Sequence, residues 1–295
     1  MLTRRDFLTA VGAMPLVGLA RPAISYALPQ DIHTALNAPV GLQLWSVRKA
    51  LSKDFNGTLA KVRAMGFEEV EAAGLYDRSP LKFRAALEKA GLRCQSVHLG
   101  YEQFRERPAE AFTELKPLGL SWVVCPWIPH STFGPDEARM AAVVLNRAGK
   151  MAQDQGLKLA YHCHGYEFVS SPQGTLFDSM ADATDPAFVS FQIDVLHAFL
   201  GGADPAALIT KYGPRVKSVH LKDLKQGVPV AMGQALAPDG SDVPVGTGQL
   251  NWPGILGAAV KAGVPIYYIE DESADPLGHI PQSVAYLQRV TILKI

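Results

Sequence analysis

Short apolar segments alternate with longer amphipathic segments along most of the chain. The short segments are rich in Val, Ile and aromatic residues, a composition typical of buried β-strands. They predict eight strands, at residues 40–45, 69–73, 93–98, 122–126, 158–162, 189–194, 216–221 and 266–270. The segments between them predict helices at residues 55–65, 80–90, 108–116, 136–155, 206–212 and 251–261.

Several of the predicted helices end at a glycine that an apolar residue follows. Gly66, Gly91, Gly156 and Gly263 occupy such positions. Glycine is favoured there because the residue after a helix often adopts a left-handed conformation. The repeated order of helix, glycine, apolar residue and strand is typical of the connection from a helix to the next parallel strand.

This alternation predicts an α/β fold with a parallel sheet, and eight strands are the number that closes a (β/α)₈ TIM barrel. The length of 295 residues fits one such domain better than two average ones. An open doubly wound sheet is the competing fold, and it normally carries a glycine-rich phosphate turn after its first strand. Here Ser46, Val47 and Arg48 follow the first strand. The barrel is therefore favoured, as a single domain over residues 28–295.

The charge balance bears on the partners that the protein can have. The chain has 28 basic and 28 acidic residues, and its formal net charge is zero. Binding to nucleic acid depends on a basic surface that neutralises phosphates, and no cluster of basic residues is evident. The sequence therefore predicts a small-molecule partner rather than a nucleic acid.

The first residues resemble a twin-arginine export signal. Arg4 and Arg5 precede an apolar run at residues 9–20, which is too short to span a bilayer. We expect a signal at residues 1–27, export through the twin-arginine (Tat) machinery, a periplasmic location and no stable membrane anchor. The alternative is a cytosolic protein that starts with two arginines by chance.

The three cysteines are an odd number for an oxidising compartment, and they lie in separate apolar segments. Cys94, Cys125 and Cys163 are therefore predicted to be small buried side chains rather than disulfide partners or thiolate ligands.

Polar residues concentrate at the ends of the predicted strands. In a barrel, the C-terminal ends of the strands form the catalytic mouth. Three carboxylates and one imidazole with no thiolate suit a divalent cation such as Mn²⁺, Mg²⁺, Co²⁺ or Zn²⁺. The predicted ligands are Glu167, Asp194, His220 and Glu270. Glu167 lies several residues past its strand, so contact with the substrate is the alternative role for it.

Other polar residues at the same ends are candidates for substrate binding. They are His98, His162, His197, Lys222 and Trp45. A buried histidine with a satisfied hydrogen bond is the alternative for each imidazole. Aromatic side chains can stack on a sugar ring, but packing in the core explains them equally well. These aromatic residues are Trp45, Trp127, Tyr166 and Trp252.

Seven short segments carry a resemblance to a known family. They are residues 41–48 (GLQLWSVR), 161–168 (YHCHGYEF), 194–198 (DVLHA), 202–205 (GADP), 219–223 (VHLKD), 245–248 (VGTG) and 268–271 (YIED). Together they resemble the sugar phosphate isomerase/epimerase family of the xylose isomerase-like barrel superfamily. The resemblance implies a metal held by two glutamates, an aspartate and a histidine, which map onto Glu167, Asp194, His220 and Glu270. Ketose epimerases place a glutamate within strand five, where this chain has Tyr161.

These observations predict a metal-dependent sugar isomerase or epimerase. It would act on a free sugar, keto-sugar or cyclitol, with Glu167 or Glu270, helped by His164, removing the proton next to a metal-bound carbonyl. A lyase or dehydratase acting on a keto-sugar or keto-glycoside with the same site is the first alternative. A non-catalytic sugar-binding barrel and a metal-dependent endonuclease are weaker alternatives. Whether copies form a homo-oligomer is left open.

Overall fold

Eight parallel strands close into a barrel in the computed structural model, which describes residues 32, 34–36, 38–130, 132–172 and 174–292. The strands are β1 (Val40–Gln43), β2 (Glu69–Ala73), β3 (Arg93–His98), β4 (Trp122–Cys125), β5 (Lys158–His162), β6 (Val189–Asp194), β7 (Val216–Leu221) and β8 (Tyr267–Ile269). Each strand pairs with the next one in the chain, and β8 pairs with β1. The predicted TIM barrel is confirmed. The predicted export signal lies outside the described residues.

Eleven helices accompany the barrel in the described ranges. They are α1 (Arg48–Lys53), α2 (Phe55–Ala64), α3 (Pro80–Ala90), α4 (Tyr101–Glu106), α5 (Pro108–Leu115), α6 (Pro135–Asp154), α7 (Leu176–Ala183), α8 (Val195–Leu200), α9 (Pro205–Tyr212), α10 (Trp252–Lys261) and α11 (Pro276–Leu287). The six predicted helices are present with ends shifted by one residue at most. The prediction missed α1, α4, α7, α8 and α11, of which three have only six residues and are too short to show a helical period. None of these helices combines the length and apolarity that crossing a membrane requires.

Helix α3 shows how local sequence sets the ends of an element. The hydroxyl of Ser79 accepts a hydrogen bond from the backbone N–H of Lys82, and Pro80 occupies the first helical position. Gly91 ends the helix with a φ of 74°, in the left-handed region that glycine tolerates best. The chain then enters β3 two residues later.

The register of the strands brings the polar strand ends together. Asp194 of β6 lies beside His220 of β7, and Ala73 of β2 lies beside His98 of β3. Gly41 of β1 makes room for a large neighbour, because a Cβ atom at this position would lie 2.8 Å from the ring of Tyr268. Polar groups from separate strands therefore meet at one end of a tightly packed barrel.

Two short antiparallel pairs extend the loops at this end. Ser170–Ser171 pairs with Gly174–Thr175, and Asp223–Leu224 pairs with Asp242–Val243. The three cysteines are free, as predicted, with Cys125 and Cys163 buried and Cys94 partly buried.

Candidate functional site

A cavity of about 940 Å³ lies at the C-terminal ends of the barrel strands. This is the end at which TIM barrels carry their active sites. Four imidazoles and two carboxylates from the strand ends line it: His98, His162, His164, His197, Glu270 and Glu272. Arg78, Gln103 and Glu114 also belong to its lining. The cavity therefore coincides with the concentration of polar residues that the sequence places at the strand ends.

His220 is held between two carboxylates at the base of this region. Its Nδ1 lies 2.8 Å from Oε2 of Glu270, and its Nε2 lies 2.7 Å from Oε2 of Glu71. The imidazole is fully buried, which alone would lower its pKa, but the two carboxylates raise the pKa to about 10. The two carboxylates therefore favour the protonated form of this imidazole.

Asp194, His220 and Glu270 form a group that we call the metal triad. Each residue offers one ligand atom, and the three atoms lie within 4.8 Å of one another. Oδ1 of Asp194 accepts a hydrogen bond of 2.8 Å from the backbone N–H of His197. Oδ2 of Asp194 is buried and has no hydrogen-bond partner among the described residues. Burial raises the pKa of Asp194, while the charge of Lys222 opposes that shift.

The unpartnered oxygen of Asp194 is the observation that tests whether the site suits a metal. Buried polar atoms without a partner are rare in folded proteins and often mark a missing ion or water. Two carboxylates and one imidazole are also ligands that Mn²⁺, Mg²⁺, Co²⁺ and Zn²⁺ accept, and a three-ligand site leaves coordination positions free for a substrate. The residues present therefore fit a divalent cation.

Glu167, predicted as a fourth ligand and as a base, is not part of this group. Its oxygens lie 3.0 and 3.1 Å from the backbone N–H of His164 and accept a short hydrogen bond from the hydroxyl of Tyr161. A single 3₁₀ turn at Tyr166–Phe168 directs the side chain back onto β5 and away from the cavity lining. Burial raises the pKa of Glu167 to about 7. The structure corrects the prediction, since Glu167 supports the turn that carries His164.

Glu71 on β2 is the central residue that the sequence reasoning missed. Besides His220, its carboxylate accepts hydrogen bonds from Gln43 at 2.9 Å, Ser96 at 2.5 Å and Gln192 at 2.9 Å. Burial alone would raise its pKa, but the charges of His98 and His220 hold the pKa well below its usual range. A charged residue in the middle of the apolar sequence Val-Glu-Ala was the available signal.

Three imidazoles of the cavity wall are neutral, so each has an unprotonated ring nitrogen that can accept a hydrogen bond from a substrate. Burial, followed by nearby positive charges, lowers the pKa of His162 and His197 well below the usual value and that of His164 to about 3. The rings of His164 and His197 stack with centroids 4.5 Å apart. Nδ1 of each is buried without a hydrogen-bond partner in the part of the chain that the structure describes.

His98 and His162 are bound to the barrel interior through Gln192. The Oε1 atom of Gln192 lies 2.8 Å from Nε2 of His98 and 2.9 Å from Nδ1 of His162. The His98 ring also stacks on His220, with centroids 5.5 Å apart. Both imidazoles are therefore fixed in orientation, and both line the cavity as expected of substrate-binding residues.

Lys222, predicted to bind substrate, is buried behind the cavity rather than in its lining. Its Nζ donates to Oε1 of Glu272 at 2.5 Å. Oε2 of the same glutamate accepts the indole N–H of Trp45 at 2.9 Å. Burial alone would lower the pKa of Lys222, but the charges of Glu270 and Glu272 hold it well above the usual value. Lys222 thus acts on the site through its charge and through Glu272, while Trp45 reaches the cavity.

The sequence model of the xylose isomerase-like TIM barrel family matches residues 59–290. The chain belongs to this family. An inosose dehydratase of Bacillus anthracis is 29% identical over 196 residues, which cover 59% of this chain and 65% of that protein. The chain thus matches less than two thirds of the length of this curated relative.

Solved structures of other xylose isomerase-like barrels share the fold. A sugar phosphate isomerase/epimerase from Parabacteroides distasonis has a TM-score of 0.70 and 25% identity, and the match covers 89% of this chain and 98% of that one. A barrel from Mycobacterium smegmatis in complex with magnesium has a TM-score of 0.64 and 16% identity, with 87% and 97% covered. The second likeness concerns the fold alone.

In this xylose isomerase-like barrel, the structure separates the predicted site residues into two sets. Three of the four predicted ligands converge, namely Asp194, His220 and Glu270. Of the predicted residues, Glu270, His98, His162, His164, His197 and Trp45 line the cavity, whereas Asp194 and His220 do not. Glu167 and Lys222 lie outside its lining and act through His164 and Glu272. Of the other candidate aromatic residues, Trp127 lines the cavity, and Tyr166 and Trp252 are buried.

Proposed function

We propose that this protein is a metal-dependent enzyme that eliminates water from a keto-sugar or keto-cyclitol. The observation that carries the proposal is the metal triad, in which a buried oxygen of Asp194 has no partner among the described residues. The resemblance to an inosose dehydratase supports elimination. The position of Glu167 also supports it, because an epimerase with a glutamate on each side of one carbon would need that side chain in the cavity.

Asp194, His220 and Glu270 would hold the ion. A bound divalent cation supplies Lewis-acid chemistry, which polarises a carbonyl and makes the neighbouring C–H group more acidic. Glu71 accepts the N–H of His220 at 2.7 Å and so orients the imidazole. A hydrogen bond of this kind fixes the tautomer of a ligating histidine.

His164 is the base that the geometry favours. Its neutral ring contributes to the cavity lining. Oε2 of Glu270, in contrast, is already bonded to His220. In the proposed step, the imidazole of His164 takes the proton from the carbon next to the carbonyl, and a carbon–carbon double bond forms. The C–O bond on the next carbon breaks, and the departing hydroxyl takes the proton from His164 and leaves as water.

Proton NMR in D₂O tests this assignment. The protein, loaded with Mn²⁺ or Mg²⁺, is incubated with an inosose and with a series of keto-sugars. We expect exchange of the proton next to the carbonyl and loss of one water in the wild type. His164→Gln should stop the exchange but retain the metal, whereas Asp194→Asn should lose both. His130→Gln is the matched control, because His130 stacks on Trp127 but does not line the cavity. Exchange that persists at full rate after chelation would refute the proposal.

Isomerisation or epimerisation is the second candidate function. The likeness to the Parabacteroides distasonis sugar phosphate isomerase/epimerase favours it, since the match covers 98% of that chain. The same NMR experiment separates the two reactions. An isomerase exchanges the proton and rearranges the carbonyl, but the substrate keeps all its oxygen atoms.

We also propose that the protein is exported to the periplasm. The support is the arginine pair at Arg4 and Arg5 before the apolar run. Cell fractionation tests the proposal. Replacing both arginines by lysine should leave the protein in the cytoplasm, and an unchanged distribution would contradict export by this route.

A further inference from the structure

The cavity continues beyond the metal triad into a region with a different chemical character. We call this region the apolar limb and define it by Leu75, Leu99, Ala111 and Leu115. The first two follow β2 and β3, and the other two belong to α5. The triad belongs to β6, β7 and the end of β8, which lie across the closed barrel from β2 and β3. The cavity therefore joins the polar groups around the triad to a region whose wall contains four apolar side chains.

Two tryptophans add flat apolar surfaces to the cavity wall. Trp45 is 44% exposed, and its orientation is held by the bond to Glu272 and by the guanidinium of Arg48, 4.3 Å from its ring centroid. Trp127 packs edge-on against His164, with centroids 4.8 Å apart. Indole rings fixed in this way are typical of sites that bind a ring-shaped ligand.

The turn that carries Leu75 into the wall is strained and rigid. Tyr76 and Asp77 have φ values of 52° and 57°, which non-glycine residues adopt only when their surroundings impose them. The Tyr76 ring stacks on Phe83, and Arg78 donates a hydrogen bond of 2.7 Å to the Tyr76 carbonyl. Strain of this kind is concentrated at functional sites. Leu75 is therefore a fixed part of the cavity wall.

The volume of the cavity exceeds what a single sugar ring fills. Ligand pockets range from about 300 to 1,000 Å³, and this cavity of about 940 Å³ lies near the upper limit. Three polar side chains from the same segments also line the cavity, but each is already bonded within the protein: Arg78 to the Tyr76 carbonyl, Gln103 to the backbone N–H of Gly100 and Glu114 to Arg107. The four side chains of the apolar limb themselves offer no hydrogen bonds, so a second sugar packed against them would leave hydroxyls without partners, at a cost in free energy. An apolar ring in the apolar limb avoids this cost, because it has no polar groups that need hydrogen-bond partners.

We propose that the substrate of this site is a glycoside-like molecule with two parts. The reacting ring lies against the metal triad and His164, and a flat apolar group attached to it, such as an aryl aglycone, occupies the apolar limb. This inference rests on the proposed function for the position of the reacting ring. It adds the substrate class, which is an aryl-substituted sugar or cyclitol rather than a free monosaccharide.

Isothermal titration with four unreactive probes tests the inference on the wild-type protein. The probes are phenyl β-D-glucoside, phenyl β-D-galactoside, methyl β-D-glucoside and cellobiose. We expect both phenyl compounds to bind at least about tenfold more tightly than the methyl compound, because binding buries the phenyl ring against the apolar limb and removes its surface from water. Equal affinities, tighter binding of cellobiose, or no binding of either phenyl compound would overturn the inference.

A variant locates the phenyl ring. Leu75→Ala should weaken binding of the phenyl glucosides about three- to tenfold and leave binding of the methyl glucoside unchanged. Leu81→Ala is the matched control, because Leu81 is 67% exposed on the nearby helix α3 and does not line the cavity. Identical affinities of the two variants for the phenyl glucosides would contradict the assignment.

These measurements separate the inference from the proposed function. None of the probes is a ketone, so their binding does not depend on proton transfer. Turnover that survives chelation would refute the proposed chemistry and leave the affinity differences intact. Equal probe affinities would refute the apolar limb as a subsite and leave the NMR test of the chemistry standing.

Discussion

Glu71 and His220 form a buried pair across the interior of the barrel, with Oε2 of Glu71 2.7 Å from Nε2 of His220. Both side chains are fully buried. Because Glu71 occupies one ring nitrogen, only Nδ1 of His220 faces Glu270 and the metal triad. The pair therefore decides which nitrogen of the imidazole is available as a ligand.

Glu71→Gln should weaken metal binding and lower stability. An amide at this position places an NH₂ group opposite the donors of Gln43, Gln192 or His220, so that at least one buried donor loses its acceptor. We expect a fall of about 1–3 kcal/mol in the free energy of unfolding. Metal affinity should drop about 10–100-fold, as for other hydrogen-bond partners of ligating histidines. Chemical denaturation and titration calorimetry with Mn²⁺ measure the two effects.

The control for this variant is Glu88→Gln, because Glu88 is exposed on α3 and forms a surface ion pair with Arg84. It should change neither quantity measurably. Unchanged metal affinity in Glu71→Gln would show that another contact orients His220.

Asp194→Asn should make the metal-free protein more stable and abolish its response to metal. The amide oxygen of the asparagine can still accept the hydrogen bond from the backbone N–H of His197. The substitution also removes a negative charge that burial disfavours. At pH 8 we expect a gain of about 1–3 kcal/mol without metal. In the wild type, metal at about 100 times its Kd should add about 2.7 kcal/mol. Thermal unfolding with chelator and with Mn²⁺ gives both numbers.

Asp204→Asn provides a matched comparison, since Asp204 caps helix α9 as Asp194 caps α8 but is exposed and belongs neither to the triad nor to the cavity lining. It should keep the full response to metal. A metal-induced shift in Asp194→Asn equal to that of the wild type would rule out Asp194 as a ligand.

Asp223 organises the loop between β7 and α10. Its oxygens accept the backbone N–H groups of Gly246, Gly248 and Leu250 and the indole N–H of Trp252, the last at 2.7 Å. Asp223→Asn must turn an NH₂ group towards some of these donors, and we expect a loss of about 2–4 kcal/mol in stability. Loosening of the loop should also make the bond after Lys225 accessible to trypsin.

Limited proteolysis with mass spectrometry identifies the cut. Asp239→Asn in the same loop is the control, because Asp239 is exposed. If the two variants were digested at the same rate, Asp223 would not be the residue that holds the loop.

Asp178 should make stability depend on pH in the acid range. Its carboxylate accepts hydrogen bonds from Lys211 at 2.8 Å, Tyr212 at 2.5 Å and the backbone of Thr175 at 3.0 Å. Burial alone would raise the pKa of Asp178, but the bonds from Lys211 and Tyr212 lower it below the usual value. The stabilisation is therefore present above the ordinary aspartate pKa of about 4 and disappears as the pH falls through the lowered value.

Asp178→Asn removes this contribution. The difference in unfolding free energy from the wild type should be about 1–3 kcal/mol at pH 7 and should shrink below about pH 4. Urea denaturation at several pH values measures it. A difference that stays constant down to pH 3 would show that the charge of Asp178 contributes nothing.

The ends of β5 and β6 show how far sequence reasoning reaches into the site. Asp194 is predicted as a ligand, and the structure shows that one of its oxygens caps α8 while the other has no partner among the described residues. Glu167, only three residues beyond His164, was assigned to the cavity, but its turn directs it onto Tyr161. The sequence brings Asp194, His220 and Glu270 to one end of the barrel, but it does not fix the direction of Lys222 or Glu167.

The sequence by itself determined the barrel, through the alternation of strands and helices and the glycines that end the helices. Its polar strand ends also indicated the end of the barrel at which the cavity lies. These features depend on local conformation and on the period of apolar residues, which neighbouring residues encode. Only the tertiary structure decided that Glu71 orients His220, that Lys222 is buried behind Glu272, and that an apolar limb adjoins the triad. Each of these relations joins residues distant in the chain, and the direction of a side chain across a barrel is set by the packing of all eight strands.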